Sequence, residues 1–274
     1  MSLAQRIAFR TALTIASRFV QARDRFFGRV PRARANCSTL TATQHTIRSG
    51  GNLLDAVYVQ PAETSVRSAL LICHGIGEIV PQWFPIQRIF AASGISSLVF
   101  DYSGYGRSSG HIDWRQCEQD AISSFQFLER LAPGASTSVL GFSLGTGVAP
   151  AILKQVKADR LILCAGYTSF RKAARAAWIP KFLDFLVPPI WSAEEALRGY
   201  DHPILLVHGD GDRLFQRHMA HELHACTGRR ADLLVLPARS HNEPFYFPKS
   251  HYWNPIIQWI LEREPGEIES LSDY

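Results

Sequence analysis

From residue 69 onward, short apolar runs alternate with stretches of helix length, and this rhythm narrows the folds open to the chain more than any other feature. The runs at 69–73, 96–100, 137–140, 160–164, 204–207 and 232–236 are rich in Leu, Ile and Val. They read as strands buried on both faces. Residues 82–93, 114–131, 144–156, 218–226 and 252–263 read as helices, with Pro150 interrupting the third. A strand, a helix and a further strand in succession need a crossover, and hence a parallel sheet covered by helices on both faces. Ahead of this block, residues 40–48 and 53–59 flank Ser49-Gly50-Gly51-Asn52 and are expected to pair as an antiparallel hairpin. The expected class is α/β, with a mostly parallel central sheet in one domain over residues 38–264 and a loose tail over 265–274.

One segment breaks the rhythm. About forty residues separate the strand ending at Cys164 from the one starting at Ile204, more than one crossover helix needs. An Arg/Ala-rich helix over 171–178, an apolar stretch to Val187, Pro188-Pro189, and a capped start at Ser192-Ala193-Glu194-Glu195 fill the interval. It can be an ordinary helix with a long loop packed on the sheet. The reading preferred here is a small helical cap over 166–200, with Trp178, Phe182, Phe185 and Trp191 forming an apolar substrate pocket.

Composition narrows the function. The 274 residues, 46% apolar and 19% charged, are those of a globular protein. The net charge of +5 is concentrated at the front, where residues 1–34 hold eight arginines and one acid. The rest is close to neutral, which argues against a nucleic-acid surface. Residues 1–34 are expected to form a basic amphipathic helix, with Phe9, Leu13, Ala16, Phe19 and Val20 on one side and Arg6, Arg10 and Arg18 on the other. Such a helix suits peripheral contact with an anionic membrane, docking on the domain or a second copy to form a homodimer, or an organellar transit sequence. The five cysteines show no C-x-x-C spacing and read as reduced thiols in a cytoplasmic protein. His218, His221 and His224 lack a matching acid or thiol cluster and read as the wet face of a helix; no metal site is expected. No apolar run reaches the length of a membrane span.

The chemistry centres on Gly141-Phe142-Ser143-Leu144-Gly145, at the corner between the strand at 137–140 and the helix after it. This is the G-x-S-x-G pattern, which also arises as a glycine-rich turn with an incidental serine; at a strand-to-helix corner it lifts the hydroxyl over the sheet. A serine hydroxyl needs a base, and the base an orienting acid. Both are expected in loops at strand ends. His208-Gly209-Asp210-Gly211-Asp212 follows one strand, and Pro237-Ala238-Arg239-Ser240-His241 follows the next. Asp212 is preferred over Asp210, which would serve the turn itself, and His241 over His251, which lies near the start of the last helix. Oxyanion donors are expected from the backbone N–H of Leu144 and, in the loop His74-Gly75-Ile76-Gly77-Glu78, from that of Ile76, with Gly77 as the alternative.

In order and spacing, Ser143, Asp212 and His241 resemble the triad of the α/β-hydrolase superfamily, and the likeness covers roughly residues 65–263. The run Asp101-Tyr102-Ser103-Gly104-Tyr105-Gly106-Arg107-Ser108-Ser109-Gly110 is similar to the D-Y-x-G-Y-G-x-S-x-G loop of its esterase, monoacylglycerol-lipase and acyl-protein-thioesterase branches. The loop is expected to be structural, with Asp101 holding backbone amides. The chain lacks the second glycine pair of lipase-type H-G-G-G and the cysteine-rich start of palmitoylated thioesterases. The resemblance implies an α/β-hydrolase fold and a serine hydrolase that cleaves a small-molecule ester or thioester of an apolar acyl group with no cofactor. Acyl transfer on the same residues and a non-catalytic binding protein are the alternatives.

Overall fold

The computed structural model describes residues 40–62, 66–177, 179–227, 231–243 and 250–261, with the single positions 3, 7 and 11. The helix expected over 1–34 and the tail expected over 265–274 therefore lie outside the described residues.

Strands β1 (Leu40–Ser49) and β2 (Asn52–Pro61) pair antiparallel, and Gly50 takes a φ of 56° in the turn between them. A positive φ there is what glycine supplies without strain. Next come β3 (Ser68–Cys73), α1 (Val80–Ala92), β4 (Ile95–Phe100), α2 (Trp114–Leu131), β5 (Ser136–Phe142), α3 (Gly145–Ile152) and β6 (Arg160–Cys164). The segment expected as a cap carries α4 (Phe170–Ala176), a 3-10 turn (Lys181–Leu186) and α5 (Ala193–Leu197). Then follow β7 (Ile204–Gly209), α6 (Arg217–Thr227), β8 (Ala231–Leu236) and α7 (Ser250–Ile260). The strand order is β1-β2-β4-β3-β5-β6-β7-β8. Among the described residues only β1–β2 and β2–β4 are antiparallel pairs in this sheet.

The strand sequences follow from their places. β3 is SALLIC, buried throughout because both of its faces are covered. Leu71 and Cys73 face one core with α2 and α3, while Leu70 and Ile72 face the other with α1 and α7. Edge strand β1 alternates polar and apolar residues, since one side meets water. On α2, Cys117, Ala121, Phe125 and Leu128 form the buried stripe that a 3.6-residue period predicts. In the other core Trp83 and Trp253 are fully buried, edge to face at 6.2 Å. Burying a ring of this size contributes roughly 4 kcal/mol of transfer free energy. Helix α3 ends at Ile152, four residues short of the expected 156. Pro150 cannot donate within it, and the chain continues in turns.

Two features of this layout bear on function. The chain runs from β3 to β4 on one side and later from β5 to β8 on the other, so the carboxyl ends of β3 and β5 flank a topological switch point. Open α/β sheets bind their ligands at such a place. The segment between β6 and β7 also closes on itself: Ala193 N–H donates to the Thr168 carbonyl at 2.9 Å, and Phe170 N–H to that of Ile190 at 3.3 Å. Ala165, at its start, and Trp191, just before α5, have positive φ, 54° and 51°. Among the described residues no helix is long and apolar enough to cross a membrane.

Candidate active site

Ser143 follows the last residue of β5 and takes a φ of 50°, a conformation that costs a non-glycine residue about 1–3 kcal/mol. Its neighbours hold it there. Ser143 N–H donates to the Cys164 carbonyl at 3.0 Å, and its carbonyl accepts from Thr146 N–H at 2.9 Å and Thr146 Oγ1 at 2.6 Å. The flanking glycines answer to crowding. A Cβ on Gly145 would overlap the Cys73 carbonyl oxygen, and one on Gly141 would overlap that of Gly145.

Three loops meet over this corner. His241 Nε2 lies 2.9 Å from Ser143 Oγ, and His241 Nδ1 lies 2.6 Å from Asp212 Oδ2. The other carboxylate oxygen of Asp212 accepts from Leu214 N–H and Phe215 N–H, both at 2.8 Å. With its carboxylate held by backbone, Asp212 fixes the imidazole in the tautomer that leaves Nε2 free to accept. Asp210 is used differently. It accepts from Ala238 N–H at 2.5 Å and ties the loops after β7 and β8 together. His208 and Phe215 were not singled out from the sequence. Buried His208 sets Nε2 at 2.7 Å from the Phe215 carbonyl, and Phe215 meets the His241 ring edge-on at 5.1 Å. Burial lowers the pKa of His208 and so favours its neutral form.

Ser143 opens into an apolar cavity of about 270 Å³, near the lower end of small-molecule sites, which run about 300–1,000 Å³. Ile76 and Leu144 line it together with Tyr167, Phe170, Ala174 and Phe215. No hydrogen bond to a described residue takes the N–H of Ile76 or Leu144. Of the four aromatic residues expected to form the pocket, Phe182, Phe185 and Trp191 are not among its lining residues. Trp191 is buried in the core instead, its indole N–H donating to Glu118 Oε1 at 2.9 Å and its ring filling the space that Gly147 leaves on α3. Phe182 and Phe185 are 76% and 64% exposed, because the 3-10 turn that carries them buries none of its residues. Trp178 lies outside the described residues. The cap-side wall comes instead from Tyr167 and the alanine face of α4, whose small side chains leave the space open.

Residues 64–193 match the family described as serine aminopeptidase, S33. The lysophosphatidylserine lipase ABHD12 of Rattus norvegicus is 26% identical over 213 residues, 67% of this chain and 52% of that one. The chain thus spans about half the length of the curated lipases it matches. Among solved structures, an esterase of Pyrococcus furiosus superposes with a TM-score of 0.65 at 19% identity, covering 86% of this chain and 99% of that one. A hypothetical protein of Pseudomonas aeruginosa gives 0.69 at 15% identity, covering 86% and 98%. The chain has the α/β-hydrolase fold.

Within this fold the loop over 101–110 is a brace. Asp101 accepts from Val80 N–H at 2.7 Å and Arg107 N–H at 3.2 Å, and a Cβ on Gly106 would overlap its carboxylate. The loop after β3 is braced as well, with Glu78 accepting from Gly75 N–H at 2.7 Å and Trp83 Nε1 at 3.0 Å. His74 opens that loop. Its Nδ1 lies 2.8 Å from the Gly75 carbonyl and therefore carries the proton, while its buried Nε2 has no partner among the described residues. Burial drives its pKa from the ordinary 6.5 down to about 4. The unfolded chain then binds a proton between those two values that the folded protein refuses, so stability falls as pH falls through that window. The expected loss at pH 4 is on the order of 3 kcal/mol. Burial pushes Asp101 the other way, up to about 7, so the test must compare proteins that share it. In urea unfolding at pH 7 and pH 4.5, His74→Asn, which keeps a donor for Gly75, should lose about 2 kcal/mol less than the parent on acidification. Equal losses would remove His74 as the source.

Proposed function

We propose that the protein is a serine hydrolase that cleaves a carboxylic ester or thioester of an apolar acyl group through an acyl-enzyme. The observation that carries this reading is the continuous chain from Ser143 Oγ to His241 Nε2, at 2.9 Å, and on from Nδ1 to Asp212, at 2.6 Å, at the mouth of an apolar cavity. His241 Nε2 takes the hydroxyl proton as Ser143 Oγ attacks the acyl carbon. Asp212 stabilises the imidazolium that forms. The carbonyl oxygen, now an oxyanion, is held by the N–H groups of Ile76 and Leu144; each such donor is worth about 100-fold or more in rate. His241 then protonates the leaving alcohol or thiol as its bond to carbon breaks. Water, activated by the same imidazole, releases the acid and restores the hydroxyl. The esterase and lipase names of the relatives support an ester as substrate.

The test is covalent. A fluorophosphonate should add its mass to the peptide that carries Ser143, and p-nitrophenyl esters should be turned over with release of the acid. A chain that takes no label and hydrolyses no ester is not this enzyme. The segment between β6 and β7 acts in this reading as a cap that sets acyl length. Ala174→Phe, which fills the cavity from α4, should lower the octanoate-to-acetate ratio of kcat/KM about 10- to 100-fold, since each methylene lost from an apolar pocket is worth about 10-fold or more. An unchanged ratio would place the acyl chain elsewhere.

A further inference from the structure

Next to the apolar cavity lies a hollow of different chemistry. A cleft of about 420 Å³ opens between α4 and α6, above the loop that follows Asp212. Lys172 and Arg175 enter it from α4, Arg213 from the loop, and Met219 and Glu222 from α6. Leu214 lines both the cleft and the cavity. The two are also adjacent along the chain: Ala176 lines the cleft and Ala177 the cavity, while Arg213 directly follows Asp212.

The charges in the cleft are unbalanced. Three cationic side chains line it against one carboxylate. Lys172 Nζ reaches across to Glu222 Oε2 at 2.7 Å, so that pair spans the cleft from one helix to the other. Arg175 is engaged by Asp184 of the 3-10 turn. Arg213 is exposed and makes no ion pair with a described residue, which leaves its guanidinium donors open to a ligand. A guanidinium with open donors near an ammonium, over an apolar floor, suits a phosphate attached to an apolar body.

We infer that this cleft binds a phosphate group carried on the leaving alcohol of the ester, while the acyl chain occupies the neighbouring cavity. The inference rests on the reading of Ser143 as the nucleophile and adds the class of leaving group to it. The phosphate displaces Glu222 from Lys172 and bridges Lys172 to Arg213. It undergoes no chemistry. The bond that breaks is the acyl C–O bond, the alkoxide takes its proton from His241, and the phosphorylated alcohol departs intact.

The experiment compares 1-octanoyl-glycerol 3-phosphate with 1-octanoyl-glycerol, both below their aggregation limits. The parent should show a higher kcat/KM for the phosphate ester. Arg213→Ala should lower the phosphate-to-neutral ratio about tenfold, as expected for loss of one charge-assisted contact, Arg213→Glu should lower it further, and Arg213→Lys should retain most of it. The same two esters are titrated onto Ser143→Ala, where the phosphate ester should bind at least tenfold more tightly and the preference should vanish when Arg213→Glu is added. A ratio unmoved by Arg213→Glu, or equal binding of the two esters by Ser143→Ala, overturns the inference. If neither ester is turned over while Ser143→Ala still prefers the phosphate, the cleft assignment stands and the nucleophile assignment falls.

Discussion

Replacing Ser143 with Ala is expected to lower kcat/KM for a p-nitrophenyl ester on the order of 10⁵-fold or more and to abolish fluorophosphonate labelling. Among the described residues no other nucleophile stands ready to take over. Cys73 and Cys164 lie on the neighbouring strands β3 and β6, but both are buried, and burial pushes the Cys73 thiol up to about 12 and Cys164 upward as well. A buried neutral thiol does not attack an ester. The variant should also fold as well as the parent, because alanine inherits the same positive φ. Ser143→Gly separates the two effects. It should be equally inactive yet more stable by about 1 kcal/mol, since glycine adopts that backbone without strain. Thermal unfolding and ester hydrolysis on the three proteins check both halves. Activity within tenfold of the parent in either variant would mean that the hydroxyl is not the nucleophile.

Asp212→Asn is expected to lower kcat about 10⁴-fold while leaving ester binding nearly unchanged. The amide can keep its oxygen on Leu214 and Phe215 N–H, which hold Asp212 at 2.8 Å each. Its NH₂ must then face His241 Nδ1, at the position now 2.6 Å away. Two donors cannot share that contact, so the ring moves its proton to Nε2 and can no longer accept one from Ser143. Asp210→Asn is the control. That residue touches Ala238 N–H and not the imidazole, so its effect on kcat should stay within a few-fold. Comparable losses in the two variants would show that the loops, and not the tautomer, are at stake.

The contrast between these two aspartates shows how far the sequence could be read. The alternation of apolar runs and helical stretches sufficed for a parallel sheet, because burial on both faces demands unbroken apolar strands such as SALLIC. Asp212 is preferred to Asp210 in the sequence because it lies farther into the loop, and the folded chain sets Asp212, not Asp210, against His241. The pocket was a different matter. Aromatic residues announce themselves by size, but the direction of Phe182 and Phe185 depends on a 3-10 turn flanked by Pro180 and Pro188, and Trp191 was drawn inward by a gap at Gly147. A cavity exists where atoms are missing. Its walls were Ala173, Ala174 and Ala177, which carry no signal in a list of bulky residues. The role of His208 was hidden likewise, since it depends on the Phe215 carbonyl, which only the folded loop presents.

The self-closing segment between β6 and β7 has a meaning for how such a protein can change. Its two ends are tied to each other by Ala193 to Thr168 and Phe170 to Ile190, so the sheet need not register what lies between them. Doubling the length of a flexible loop whose ends are fixed costs only about 0.6 kcal/mol. The stretch from 171 to 189 is therefore an exchangeable cassette. It can be lengthened, shortened or replaced to reshape the cavity wall, while the strands that hold Ser143, Asp212 and His241 keep both their sequence and their register.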